Sequence, residues 1–295
     1  MRHLPVRSQV HAAPTGAVTR TRRQPVLSRA RGANRCCHAD AVPGAVTGVP
    51  GAVSGVTRFG DSVSLAFMGL DSRIVCGPAG PLTQIWSAEC DSPTAFSSLA
   101  SVTAGIGFAR IRGTWAVHLR GPATKATTMM CSADSEYFGA DFRVGAYLPM
   151  FPPGRLTNLR DSVLPTLPNG RILLDGRAWE MPTPQNLDVF IDRLRKEGLL
   201  QVDPMIEELR YGGLRTMPAR TAQSRFVRAV GLPLRTLELI ERARRAVRML
   251  RAGRTIAEVA LEAGYYDQPH LTRSLRRFIG HTPAEVARGN VILGL

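Results

Sequence analysis

A chain of 295 residues, 44% of them hydrophobic, is longer than one compact core usually requires, so two domains and a tail are expected. The formal charge of +15 excludes an evenly balanced surface. Residues 1–58 carry nine Arg against one Asp, residues 59–204 thirteen basic against fourteen acidic residues, and residues 205–295 sixteen Arg against eight acidic residues. Both ends are basic and the middle is nearly neutral, a distribution that suits an acidic partner better than mere solubility.

Cys36, Cys37, Cys76, Cys90 and Cys131 show no CxxC or other zinc spacing and no disulfide framework, so reduced thiols are expected. No apolar run approaches the ~18 residues of a membrane helix, and the N-terminus lacks a secretory apolar core. A soluble, cytoplasmic protein with no membrane partner is expected.

Residues 1–57 are dominated by Arg, Ala, Val, Pro, Gly and Thr, with repeated phrases such as Val42-Pro43-Gly44-Ala45-Val46 and Val49-Pro50-Gly51-Ala52-Val53. Too few large apolar groups are present to offset the entropy of ordering, which predicts a disordered basic extension. It reads as an upstream translation start, as a tail adding nonspecific DNA affinity, or as a targeting peptide; the first is the simplest.

Residues 58–200 form the second expected region. Short β-branched and aromatic stretches at Val63–Met68, Leu82–Cys90, Ile106–Leu119, Lys125–Cys131 and Tyr137–Tyr147, separated by Gly and Pro, predict strands. After Pro152-Pro153-Gly154 the period becomes helical, with Leu187, Phe190, Ile191 and Leu194 on one stripe. Asp203-Pro204 reads as a helix start.

Further on, Leu237, Ile240, Ala243, Val247 and Leu250 share one face of a long helix, from which Arg242, Arg244, Arg245, Arg248 and Arg251 project elsewhere. Between Thr255 and Gly280 the local signals are those of a helix-turn-helix. Thr255-Ile256-Ala257-Glu258 is a capping box. Gly264 supplies a left-handed stop, and Asp267 is placed to cap the next helix. In that helix Leu271, Leu275, Phe278 and Ile279 form the buried stripe, which turns Pro269, His270, Thr272, Arg273 and Arg276 outward. Such a helix fits the major groove, where arginine pairs bidentately with guanine. Thr282-Pro283-Ala284-Glu285 is a further capping box.

The run from Ala263-Gly264-Tyr265-Tyr266-Asp267-Gln268-Pro269-His270-Leu271 to Arg276-Arg277-Phe278-Ile279-Gly280-His281-Thr282-Pro283 resembles the signature of the AraC/XylS family of bacterial transcription regulators. The resemblance covers about Pro204 to Arg288, which places a DNA-binding domain of two helix-turn-helix units at residues 204–289. It implies a first recognition helix from about Pro218 to Val230, with Ala222, Phe226 and Val230 inward and Arg220, Gln223 and Ser224 at base-reading positions. Two positions depart from the family pattern: Pro218 stands where a capping Ser is common, and Ser224 where Arg is frequent.

The stretches Trp115–Pro122 and Phe138–Pro149 resemble, more loosely, the β-rich N-terminal domain of a subgroup of these regulators. That domain senses a small molecule or mediates dimerisation, and its usual architecture is cupin-like. The expected fold class is thus α+β, a β-rich regulatory domain followed by an all-α DNA-binding domain. His118 is the sole histidine between residues 59 and 204, which argues against a multi-histidine metal site. Trp86, Trp115 and Trp179 are expected in the core, and Asp134 and Glu136 as solvated carboxylates.

The implied function is transcription activation without catalysis, cofactor or metal, through binding of promoter DNA in two successive major grooves. RNA polymerase, a small-molecule effector and a second copy of the chain are further partners open to such a regulator. An enzyme fused to the same DNA module is the rival reading, for which no nucleophilic constellation is visible around Cys76, Cys90 or Cys131.

Overall fold

The computed structural model describes residues 55–59, 62–67, 70–76, 80–159, 162–211, 217–289, 291 and 293–294. The extension expected over residues 1–57 lies outside the described residues up to 54, and Gly55 already begins strand β1 (Gly55–Phe59).

Strands β2 (Ser62–Phe67), β3 (Leu70–Cys76) and β4 (Leu82–Cys90) continue from β1 as an antiparallel meander. Strand β5 (Thr94–Ser98) leaves this sheet, and β6 (Gly105–Ile111) and β7 (Thr114–Arg120) return to it as a hairpin. The single stretch expected over Ile106–Leu119 is thus two strands. Its turn is Arg112-Gly113, both left-handed with φ of 50° and 79°, the backbone of a tight hairpin. Only Gly113 signals that turn in the sequence, because arginine seldom adopts it. Strand β8 (Thr127–Cys131) pairs with β5, whereas β9 (Ser135–Phe142) inserts between β4 and β6.

The main sheet has eight strands, in the order β1-β2-β3-β4-β9-β6-β7-β11, where β11 is Ser162–Leu164. Small pairs are made by β10 (Ala146–Tyr147) with β14 (Gln201–Val202), and by β12 (Ile172–Leu174) with β13 (Arg177–Trp179). The three-stranded sheet β15-β5-β8 closes with β15 (Leu293–Gly294), at the far end of the chain, lying parallel to β5.

Helix α1 (Pro153–Leu156) is a single turn, and α2 (Leu187–Lys196) buries the predicted stripe Leu187, Phe190, Ile191 and Leu194. With Ile106, Phe108, Val117, Phe138 and Phe142 that stripe fills the core of the β-rich region. Trp179 joins it edge-on to Phe190 and donates from Nε1 to the Leu174 carbonyl. Trp115 packs edge-on against Phe138, and Trp86 lies over Gly139, where any Cβ would fall 2.5 Å from the indole. Glu136 is half-exposed and ion-paired with Arg110.

The expectation of reduced thiols is corrected for two of the five cysteines. Cys90 and Cys131, 41 residues apart, are joined in a disulfide that ties the end of β4 to the end of β8. Neither spacing nor neighbours announce it, because topology alone brings the two strand ends together.

A second core belongs to the helices. It gathers residues from α3 (Met205–Arg210), α4 (Ala219–Val230), α5 (Leu234–Arg251), α6 (Ile256–Glu262), α7 (Gln268–Phe278) and α8 (Pro283–Ala287), together with Leu99, Ala100 and Val102 from the β-rich region. The α+β class follows: strands dominate the first region and helices the second.

Candidate nucleic-acid interface

The second helix-turn-helix unit is α6 and α7. Thr255 Oγ1 accepts from the Glu258 amide at 3.3 Å while the Glu258 carboxylate accepts from the Thr255 amide at 2.9 Å, so the capping box closes in both directions. The Thr255 amide and hydroxyl hold the Glu258 carboxyl below its ordinary range. Helix α6 stops at Gly264, with φ of 73°. Asp267 Oδ1 then accepts the His270 amide at 2.6 Å and starts α7.

The turn is held by a buried cluster. Tyr265 is 6% exposed, its hydroxyl lies 3.1 Å from Ser274 Oγ, its ring meets His270 edge-on, and the Arg242 guanidinium sits 4.7 Å from the ring centre. Burial pushes the Tyr265 phenol up from its ordinary pKa. Arg242 also donates to the Gly264 carbonyl and Arg245 to the Ala263 carbonyl, satisfying groups that the end of α6 leaves open. These two arginines of α5 therefore serve the fold, and Arg251 does likewise through the Val291 carbonyl. Their charge pattern hides that role in the sequence, and so does the polarity of Ser274, which is buried because Tyr265 meets it.

Helix α7 buries Leu271, Leu275 and Phe278, with Ile279 just beyond it. Pro269, Arg273 and Arg276 are exposed; His270 and Thr272 are half-buried. The Tyr266 amide donates to His270 Nδ1 at 3.4 Å, which leaves Nε2 as the ring nitrogen for an outside partner. Pro269, His270, Thr272 and Arg273 lie in the N-terminal half of α7, and Arg276 in its last turn.

In the first unit, α4 buries Phe226, Ala229 and Val230, and Ala222 is half-buried. Arg220, Gln223 and Ser224 are exposed on its N-terminal half. Pro218 occupies the N-cap and provides no side-chain hydrogen bond. The unit is held from outside instead: Arg225 grips Asp203 with two hydrogen bonds of 2.8 and 2.9 Å, and Arg210 pairs with Glu241 of α5. Burial pushes the Asp203 carboxyl up, but Arg225 and the Met205 amide outweigh it and hold the carboxyl below its usual range. The helix start read at Asp203-Pro204 is present, with Asp203 Oδ1 accepting from the Met205 amide at 3.0 Å.

Among the described residues, no ion pair involves Arg220, Arg273 or Arg276, and all three side chains are exposed. Much of the remaining C-terminal charge is spent internally. Arg254, for example, bridges Glu258 and Glu262.

Residues 216–289 match a family model described as a helix-turn-helix domain, of the AraC type. No curated protein and no solved structure matches the chain. The matched segment contains all eight residues expected at base-reading positions, three on α4 and five on α7. The C-terminal domain of this chain is an AraC/XylS-type helix-turn-helix domain, the DNA-binding part of a transcription regulator.

Proposed function

We propose that the protein is a sequence-specific activator that places α4 and α7 in two successive major grooves of promoter DNA. The observation that carries this reading is the duplication: two recognition helices, joined by the 18-residue α5, each bury one face and expose a polar N-terminal half. Grooves on one face of a duplex recur every ~10 bp. Arg273 and Arg276 suit guanine or phosphate, and Gln223 suits adenine. In this reading the β-rich region answers to an effector or to a second copy of the chain, and the complex recruits RNA polymerase in a bacterial cytoplasm. Regulation without catalysis is favoured, since two of the three cysteines of the β-rich region are joined to each other.

Selection of bound fragments from a random duplex library, followed by footprinting at moderate salt, tests the reading. Two boxes about one helical turn apart are expected. Diffuse protection without sequence preference overturns it. Arg273→Ala and His270→Ala should each weaken binding by ~1–3 kcal/mol and relax preference in one box only.

A further inference from the structure

The C-terminal ends of the two recognition helices are both moored on the β-rich region, at sites that touch each other. At the end of α7 the Phe278 carbonyl accepts from the Ala100 amide at 2.8 Å, and the Arg277 carbonyl accepts from the Ala126 amide at 3.0 Å. His281 Nε2 lies 2.7 Å from Ser97 Oγ. At the end of α4, Gly231 presses against Pro153 so closely that a Cβ would fall 2.7 Å from the Pro153 carbonyl carbon, and its carbonyl accepts from Thr157 Oγ1 at 3.2 Å.

The two moorings are bolted together by Asn158. Its Oδ1 accepts from the Thr124 amide at 2.8 Å and from the Thr124 hydroxyl at 3.1 Å, while its own amide donates to the Pro122 carbonyl at 2.9 Å. Asn158 follows Thr157, which holds α4, and Thr124 lies two residues before Ala126, which holds α7. The backbone of Asn158 is left-handed, with φ of 61°, a conformation asparagine tolerates better than most residues. Beside this joint Gly121 approaches Leu156 so closely that a Cβ would sit 2.5 Å from its carbonyl group.

Helix α5 also connects the two units, within the core they share. At 1.5 Å per residue it is ~27 Å long, and a single helix of that length bends and twists. The second connection closes a ring, and a closed ring removes that freedom. We propose that Asn158 is a positioning residue which, through Thr124, fixes the separation of α4 and α7 and so sets the spacing of the two boxes in the DNA. This rests on the two-groove reading above.

The test uses the full chain and the duplexes recovered from the random library, remade with one or two base pairs inserted between the boxes. Asn158→Gly removes the acceptor and keeps the left-handed backbone accessible; Asn158→Asp keeps an acceptor oxygen. The unaltered protein should lose about tenfold in affinity on the lengthened duplexes. Asn158→Gly should shrink that penalty to about threefold or less and broaden the spacings recovered by selection, and Asn158→Asp should restore the penalty. Two boxes at one spacing, recovered equally by the unaltered protein and by Asn158→Gly, overturn the role of Asn158 alone. A single box in the selected duplexes overturns the two-groove reading and this role with it. Thermal unfolding and mutation of one box report folding and base preference separately, and neither should follow the spacing penalty.

Discussion

Helices α6, α7 and α8 each begin on a side chain that accepts from the first turn of the same helix, whereas α4 begins at Pro218, which cannot. The helix starts of the second unit are therefore specified locally, whereas α4 is held by Asp203, Glu241 and the turn at Pro153. Two copies of one architecture can thus be specified at different ranges along the chain. A helix start specified by distant residues is the more exposed to change elsewhere in the molecule.

The largest lever on this contrast lies under the second unit. Its mooring sheet β5-β8 is tied to the main sheet by Cys90–Cys131, which closes a loop over 41 residues and on the chain-entropy model contributes ~4 kcal/mol. Cys131→Ser, or exposure to a dithiol reductant, should lower the denaturation midpoint accordingly. Equal midpoints with and without reductant would show that the crosslink adds nothing to stability.

Next in size is Asp203→Asn, which strips the first unit of its ionic clamp and should cost ~1 kcal/mol, allowing for the solvent reaching a partly exposed arginine. The pH dependence has a definite sign. Because the folded-state carboxyl titrates below its unfolded value, its contribution is complete above about pH 4 and disappears as pH falls through the lower, folded-state value. The Asn variant should lack this part of the acid sensitivity, seen as a flatter midpoint-against-pH curve in that range.

Effects of that size and smaller concern caps. Thr255→Ala should cost the second unit ~1 kcal/mol. Pro218→Ser, which gives α4 the cap it lacks, should gain about 0.5 kcal/mol once the added freedom of the unfolded chain is subtracted. A loss of stability in Pro218→Ser would mean that the fixed φ of proline matters more there than a cap.

The same contrast decides what could be read from the sequence. Capping partners three residues apart, such as Thr255 with Glu258 and Thr282 with Glu285, are visible without any fold, and so is the period of Leu271, Leu275 and Phe278. Contacts that only topology creates are not. Ser97 and His281 are 184 positions apart, and nothing in either residue's neighbourhood names the other. Strand β3 escaped because its run Leu70–Cys76 includes Asp71 and Arg73, and β5 because Thr94–Ser98 holds only one large apolar residue. On α5 the arginines look like a solvated face, yet Arg242 and Arg245 close the end of α6. The outward residues of α7 were legible because the buried stripe leaves them nowhere else to go.

Leu99, Ala100 and Val102 lie more than a hundred residues ahead of the helices whose core they complete, and each is at most 6% exposed. A fragment cut at the helical boundary would carry a gap where these side chains belong, along with two open carbonyls at the end of α7. The unit of inheritance marked by the sequence signature is smaller than the unit that packs, so a transplanted DNA-reading segment would need that loop, or a substitute for it, to travel with it.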